Sequence, residues 1–348
     1  MKDLDDRERE AFAPLLLAHY DRTARKLPWR ASPGANAVDP YRVWLSEIML
    51  QQTTVAAVKP YFDKFIENWP TVEDLATASD GDVMAAWAGL GYYARARNLL
   101  ACAREVAGMH HGIFPETEEG LLRLPGVGAY TAAAIAAIAY GRRAVVVDAN
   151  IERVISRVFA IEAPLPGSRP RIRSETDSVT PSLRAGDFAQ AMMDLGASLC
   201  SVRNPSCLTC PLLEICRAAR SGDPEAYPAK TAKKAKPLRR GAAWWYEREG
   251  RVWLVRRPKK GMLGGMRGLP GSDWSADEDL VLPDGEGWEW DERPVRHVFT
   301  HFSLELHVAR RTIEGDPPGE GEWWRVDELE AAGLPTLYAK VSKRRERG

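Results

Sequence analysis

The sequence predicts a two-part chain, a mainly α N-terminal part followed by a small α+β part. Three observations carry this. Apolar residues recur at helical spacing through the first part, and no convincing strand precedes residue 240. Between 223 and 240 stand Pro224, Pro228 and Pro237, with six Lys or Arg from Lys230 to Arg240 and no acid there, the composition of a linker. Beyond 240 lie eight of the twelve tryptophans, in short runs that favour strands.

The elements follow in order. Phe12, Leu15, Leu16 and His19 set a helix over 7–27, closed by Leu27-Pro28-Trp29-Arg30. Residues 31–40, rich in Gly, Pro and Asn, read as a loop. Short helices are predicted at 41–52, 55–68, 71–79, 82–90 and 98–108, separated by Pro, Gly or Asp. Tyr130 to Tyr140 is mostly Ala and Ile without a breaker, and reads as a buried helix. Helices also fit 151–159, 174–179 and 187–199. Strands are expected at 244–246, 252–255, 298–299 and 304–308, with a short helix from Glu322 to Ala332. Residues 273–292 carry nine acids and no Lys or Arg, which suggests a solvated excursion.

A chain of 348 residues has room for two or three domains. Its 48 cations balance 48 acids, which argues against a generally polybasic nucleic-acid binder and leaves room for a local basic cleft. The N-terminus is charged and lacks the apolar core of a signal peptide. No apolar run approaches the roughly 20 residues of a membrane helix. A cytoplasmic protein with no membrane association is expected.

Four motifs carry chemistry. In Leu124-Pro125-Gly126-Val127-Gly128, a proline and two glycines force a tight hairpin. Gly128 then opens the Ala-rich helix, where free amides and the dipole suit a phosphate. Taken alone, it also fits a turn with no ligand. Asp148 follows three valines, and a buried acid is costly unless paired or used. Glu47 sits among Trp44, Leu45, Ile48, Met49 and Leu50. Partial desolvation there would raise its pKa, as a general acid near neutral pH requires. Taken alone, a surface glutamate paired with a cation fits as well. The adjoining Gln51-Gln52-Thr53 could hydrogen-bond base edges. Gly89-Leu90-Gly91-Tyr92-Tyr93-Ala94-Arg95 joins a flexible loop to aromatics and a cation, so it could wedge into a base stack while Arg95 and Arg97 hold phosphates.

Cys200, Cys207, Cys210 and Cys216 lie within seventeen residues. Their spacing, one Cys-x-x-Cys flanked by two single cysteines, suits a cubane iron–sulfur cluster better than zinc, which usually takes two separated knuckles. Arg203, Arg217 and Arg220 lie nearby, as surface charge or as phosphate contacts. Cys102, alone in a helical stretch, reads as a buried apolar residue.

These features in this order resemble the helix-hairpin-helix, iron–sulfur DNA glycosylase superfamily, and within it the adenine DNA glycosylases of the MutY type. The resemblance covers residues 8–228 strongly and the rest more weakly. It implies a six-helix barrel at 30–144, an iron–sulfur domain from 1–29 and 145–222, a linker at 223–240, and a Nudix-like domain at 241–348. It implies one [4Fe–4S] cluster on the four cysteines. The partner would be double-stranded DNA holding adenine opposite 8-oxoguanine or guanine, bound by a monomer. Glu47 would protonate the flipped adenine. Asp148 would stabilise the resulting cation, supported by Tyr130 and Asn150. Arg30 would shape the base pocket. Leu50, Gln52, Leu90, Tyr92, Arg95 and Gln190 would contact DNA, and Gly126, Val127 and Gly128 would grip a phosphate.

Tyr130 stands where bifunctional endonuclease III-type members carry a lysine that forms a Schiff base. A phenol cannot do this, so base removal without strand cleavage is implied. Phe299-Thr300-His301 resembles the family's Phe-Ser-His recognition loop, and Gly261 to Pro270 its Gly-rich segment. No Nudix hydrolase box is present, so the C-terminal part should read DNA and hydrolyse nothing. Three alternatives stay open: a bifunctional pyrimidine-lesion glycosylase, a non-catalytic iron–sulfur DNA-binding protein, and a Nudix hydrolase with a helical appendage.

Overall fold

Short polar side chains start many of the helices. Asp5 accepts from the Glu8 amide while Glu8 accepts from the Asp5 amide, a reciprocal cap that opens α1 (Asp6–Thr23). Asp39 caps α2 (Pro40–Leu50), whose proline sits where an amide would be unpaired anyway. Thr54, Thr71 and Ser79 cap α3 (Val55–Asn68), α4 (Val72–Thr77) and α5 (Asp80–Trp87). Next come α6 (Ala94–Met109), α7 (Glu118–Leu121) and α8 (Ala129–Tyr140). Asp148 caps α9 (Ala149–Val158), and α10 (Arg169–Val179), α11 (Ala185–Ser198) and α12 (Arg217–Arg220) complete the helical unit.

The structure, a computed structural model, describes residues 4–35, 38–231, 236–258, 261–276 and 280–345. Its contacts divide the chain into Met1–Ala232 and Lys233–Gly348. Parts of the expected linker (232–235) and of the acidic stretch (277–279) lie outside the described residues. Among the described residues no helix is long and apolar enough to cross a membrane.

Helix α8 is the axis of the first unit. It is buried nearly all round, as an apolar helix without a polar face must be, and it packs against α2, α7 and α11. On α2 the side chains of Trp44, Leu45 and Met49 are fully buried, which sets Glu47 among apolar neighbours.

In the second unit β1 (Leu238–Arg248) runs antiparallel to β2 (Arg251–Arg256). Strand β3 (Arg267–Gly268) pairs with β2. Strands β4 (Glu289–Trp290) and β5 (Val295–Val298) both pair with β6 (Ser303–Thr312), which lies parallel to β1. Ala243 and Trp245, Val252 and Leu254, and Leu304, Leu306 and Val308 alternate into one core. Helix α13 (Thr336–Arg345) closes that core with Leu337, Tyr338 and Val341.

Two expectations are corrected. Leu238 to Arg240, expected as linker, begin β1. The helix expected from Glu322 is instead β7 (Glu322–Arg325), paired with β2, followed by a single 3-10 turn. The adjacent tryptophans there point to opposite faces. Trp323 meets Trp253 edge-on at 5.2 Å, and Trp324 packs against the core under Arg267. A pair of large rings is accommodated by the pleat and by the cross-strand contact, and this outweighs the helix-forming residues that follow.

Candidate active site

A cavity of about 530 Å³ opens in the helical unit. Its wall comes from the 25–30 segment, α2 with the turn after it, the first turn of α8, the start of α9, and α11. Glu47, Tyr130, Asp148, Asn150, Arg30, Leu50, Gln52 and Gln190 all line it. Residues more than 140 positions apart are thus brought to one space.

Glu47 is only 6% exposed. Burial pushes its carboxyl up to about 7, and the Asp148 charge adds to this. A hydrogen bond with Tyr130 and the Arg30 charge oppose it. Glu47 Oε2 has no hydrogen-bond partner among the described residues. Tyr130 is held well above the ordinary phenol range by burial and by both carboxylates, so it stays a neutral donor.

Asp148 is treated differently. Its Oδ1 accepts from the Ile151 amide at 2.7 Å and its Oδ2 from Asn150 Nδ2 at 2.8 Å. Burial raises its pKa too, and these bonds pull it back. Burial thus raises both carboxyls in this cavity, but only Asp148 accepts hydrogen bonds from a helix cap that favour its charged form.

The surroundings hold residues that the sequence reading missed. Arg30 Nη1 donates to both oxygens of Asp194 at 2.8 Å, and Arg25 Nε donates to the same carboxylate at 2.6 Å. Asn150 Oδ1 accepts from Arg153 Nη2 at 2.9 Å, and Arg153 Nε donates to the Cys200 carbonyl at 2.8 Å. Arg157 Nη1 donates to Cys200 Sγ at 3.2 Å. For Asp194 the sequence offers only an acid beside apolar residues, which names no partner, and α9 carries too many polar residues for its arginines to stand out. Arg153 and Arg157 stand four apart on α9, and Asp194 follows Met192 and Met193 on α11.

The hairpin is as tight as its composition requires. Gly126 has φ of +75°, and a Cβ on it would lie 2.6 Å from the Asn98 Cβ. Val127 is buried, and Gly128 caps α8 with open space beside it. None of the three lines the cavity. Gln52 and Tyr92 both have left-handed backbones, and Tyr92 is exposed, while Leu90 is buried away from the cavity.

Arg95 is corrected. Its guanidinium donates to the carbonyls of Ile48, Met49, Leu90 and Gly91 and to Thr53 Oγ1. It ties the end of α2 to the glycine loop instead of facing a phosphate, because those carbonyls have no helical partner of their own.

The four cysteines border one void with apolar walls from Val154, Val158, Leu195 and Leu212, and none is in a disulfide. An all-sulfur donor set with an arginine N–H on one sulfur fits an iron–sulfur cluster. Among the described residues no group of three His, Cys, Asp or Glu is spaced to hold a single metal ion. Arg217 is paired with Glu8, so it is not a free surface cation. In the second unit Phe299 is half-buried and Thr300 and His301 are exposed on the turn after β5.

A hairpin-led helix beside a cavity with two carboxylates defines a class, and residues 45–175 match it: the HhH-GPD superfamily base excision DNA repair protein family. Residues 241–344 match a NUDIX domain. The chain is 34% identical to the adenine DNA glycosylase of Homo sapiens, over 97% of this chain and 74% of that one. It is 36% identical to that of Buchnera aphidicola, over 95% and 96%. The chain belongs to the adenine DNA glycosylase family. Among solved structures, a thermostable thymine-DNA glycosylase superposes with a TM-score of 0.55 at 29% identity, over 62% of this chain and 98% of that one. An endonuclease III–DNA complex, at 22% identity and a TM-score of 0.53, shares the fold over 63% of this chain and 98% of that one.

Proposed function

We propose that this chain removes adenine from double-stranded DNA where it stands opposite 8-oxoguanine or guanine, and does so without cutting the strand. The observation that carries the reading is Glu47, a carboxyl pushed up to about 7 inside a cavity that also holds Asp148. Protonated Glu47 gives its proton to the ring of an adenine flipped into the cavity, which turns the base into a leaving group. The Asp148 carboxylate, fixed by Asn150 and the start of α9, lies ready for the positive charge that develops on the sugar as the bond to the base breaks; water then adds to that carbon and passes a proton to the Glu47 carboxylate, which restores the acid. Tyr130 holds Glu47 by a hydrogen bond and has no amine, so no Schiff base forms and the strand stays whole.

Arg30, fixed by Asp194, shapes the pocket. Gln52 and Tyr92 fill the gap left in the stack, and Gly126 and Gly128 hold a phosphate through their amides, while the Val127 amide donates to the Leu124 carbonyl at 3.2 Å and closes the hairpin. Cys200, Cys207, Cys210 and Cys216 would hold one [4Fe–4S] cluster, which when bound supplies iron–thiolate bonds that cross-link 200–216. In the second unit Phe299, Thr300 and His301 read the base opposite the adenine.

A duplex with adenine opposite 8-oxoguanine tests this. The expected result is free adenine, with strand breakage only after alkali. Breakage without alkali at oxidised pyrimidines supports a bifunctional enzyme instead, and tight binding with no base release a non-catalytic protein.

A further inference from the structure

The acidic excursion at 273–292 has no part in the chemistry above, yet its second residue touches the loop assigned to lesion reading. Trp274 stacks on Phe299 with centroids 5.5 Å apart and planes 27° from parallel. It also meets Phe302 at 6.4 Å. Phe299 in turn meets His297 at 4.6 Å and Phe302 at 4.9 Å.

Trp274 is itself fixed. Arg240 and Ser275 exchange both main-chain hydrogen bonds, at 2.8 and 3.2 Å, so the residue beside Trp274 is laced to β1. The Ser272 amide donates to the Ala242 carbonyl at 3.0 Å on the other side. The indole lies so close over Gly241 that a Cβ there would sit 2.4 Å from its Cδ1. The Arg257 guanidinium stands 4.8 Å from the ring centroid, and Arg257 is held by Tyr338 Oη at 3.0 Å. A platform pinned on its main chain, under its edge and by a cation does not move with the loop.

The loop has its own closure. The Phe299 amide donates to the Phe302 carbonyl at 2.8 Å, and Lys236 Nζ donates to the Phe299 carbonyl at 2.7 Å. With Phe299 and Phe302 rooted, Thr300 and His301 form the exposed apex.

We propose that Trp274 is a positioning residue for lesion recognition: by stacking on Phe299 it holds the 299–302 turn in the shape that reads the base opposite the adenine. This rests on the reading of Phe299 to His301 as the recognition loop. The benefit is preorganisation, since a loop that is already ordered loses less entropy on binding.

A double-mutant cycle on the full-length protein tests it, with the ratio of single-turnover rates on adenine opposite 8-oxoguanine and opposite guanine as the readout. W274L keeps apolar volume and removes the flat ring, and should lower that ratio by about two- to tenfold, the range of one aromatic stack. W274F should restore most of it. F299A should lower the ratio, and F299A/W274L should be no lower than F299A alone. If W274L leaves the ratio unchanged, or if the two effects multiply, Trp274 acts elsewhere and the proposal is overturned. If F299A leaves the ratio unchanged, the assignment of the loop itself is wrong, and the proposal goes with it. Should W274L fold poorly, a low ratio in well-folded W274F would equally contradict the proposal.

Discussion

Replacing Glu47 by Gln separates two properties of one side chain. An ordinary glutamate titrates near 4.5 and this one near 7, a gap equivalent to about 3 kcal/mol. Between those values the folded chain keeps a proton that the unfolded chain has lost, so stability falls as pH rises through the window. Below pH 4.5 both states are protonated and nothing is lost; above 7 the full penalty applies. Glutamine carries no charge, so Glu47→Gln should melt like the parent near pH 4 and be more stable by about 3 kcal/mol at pH 8. In a unit of this size that is on the order of 6–12 °C. The same variant should bind duplex DNA and release almost no adenine. In the parent enzyme, single-turnover base release should fall about tenfold per pH unit above 7, as the general acid loses its proton. The assays are thermal unfolding of both proteins from pH 4 to 8 and single-turnover rates from pH 6 to 9. A stability difference that does not change with pH would show that Glu47 is hydrated in the fold. Near-normal turnover by the glutamine variant would remove it from the chemistry.

Three further outcomes follow from the geometry. Tyr130→Phe deletes the hydrogen bond that lowers the Glu47 pKa, so the alkaline limb of the rate profile should move to higher pH; a move to lower pH contradicts the contact. Asp194→Ala leaves the Arg30 guanidinium, 7% exposed, without its counter-ion and should cost about 3 kcal/mol in urea unfolding, whereas a change below about 0.5 kcal/mol would mean the pair is screened by water. Iron and sulfide analysis should return about four of each per chain, and removing iron should lower the melting temperature; stoichiometric zinc without iron would reject the cluster.

Local chemistry explains what was readable in the sequence. The hairpin and α8 were legible because proline, glycine and an unbroken Ala-Ile run restrict the backbone wherever they occur. Glu47 was legible because an acid embedded in a helix of large apolar residues has few places to go. The Asp194 network was not, since Arg25 and Asp194 are 169 positions apart and only the packing of α1 and α11 brings them together. Arg95 was misread because a cation in a glycine loop looks the same whether it faces a phosphate or its own carbonyls. The Trp323-Trp324 strand was hidden because two residues are too few to display a period of two.

Helix α8 has almost nothing to adjust. Ala132, Ala133, Ala134, Ala136 and Ala137 are buried and have no rotamers, and Gly186 approaches the Ala137 carbonyl so closely that a Cβ would lie 2.5 Å from it. Neighbouring elements therefore rest on its backbone, and its thickness is that of bare helix. It acts as a machinist's shim: Tyr130 in its first turn meets Glu47 at a spacing that no side-chain repacking can widen or narrow. A larger residue at one of these alanines would have to displace α2 or α11, at a cost of about 1–3 kcal/mol, and would shift Tyr130 against Glu47 as it did so.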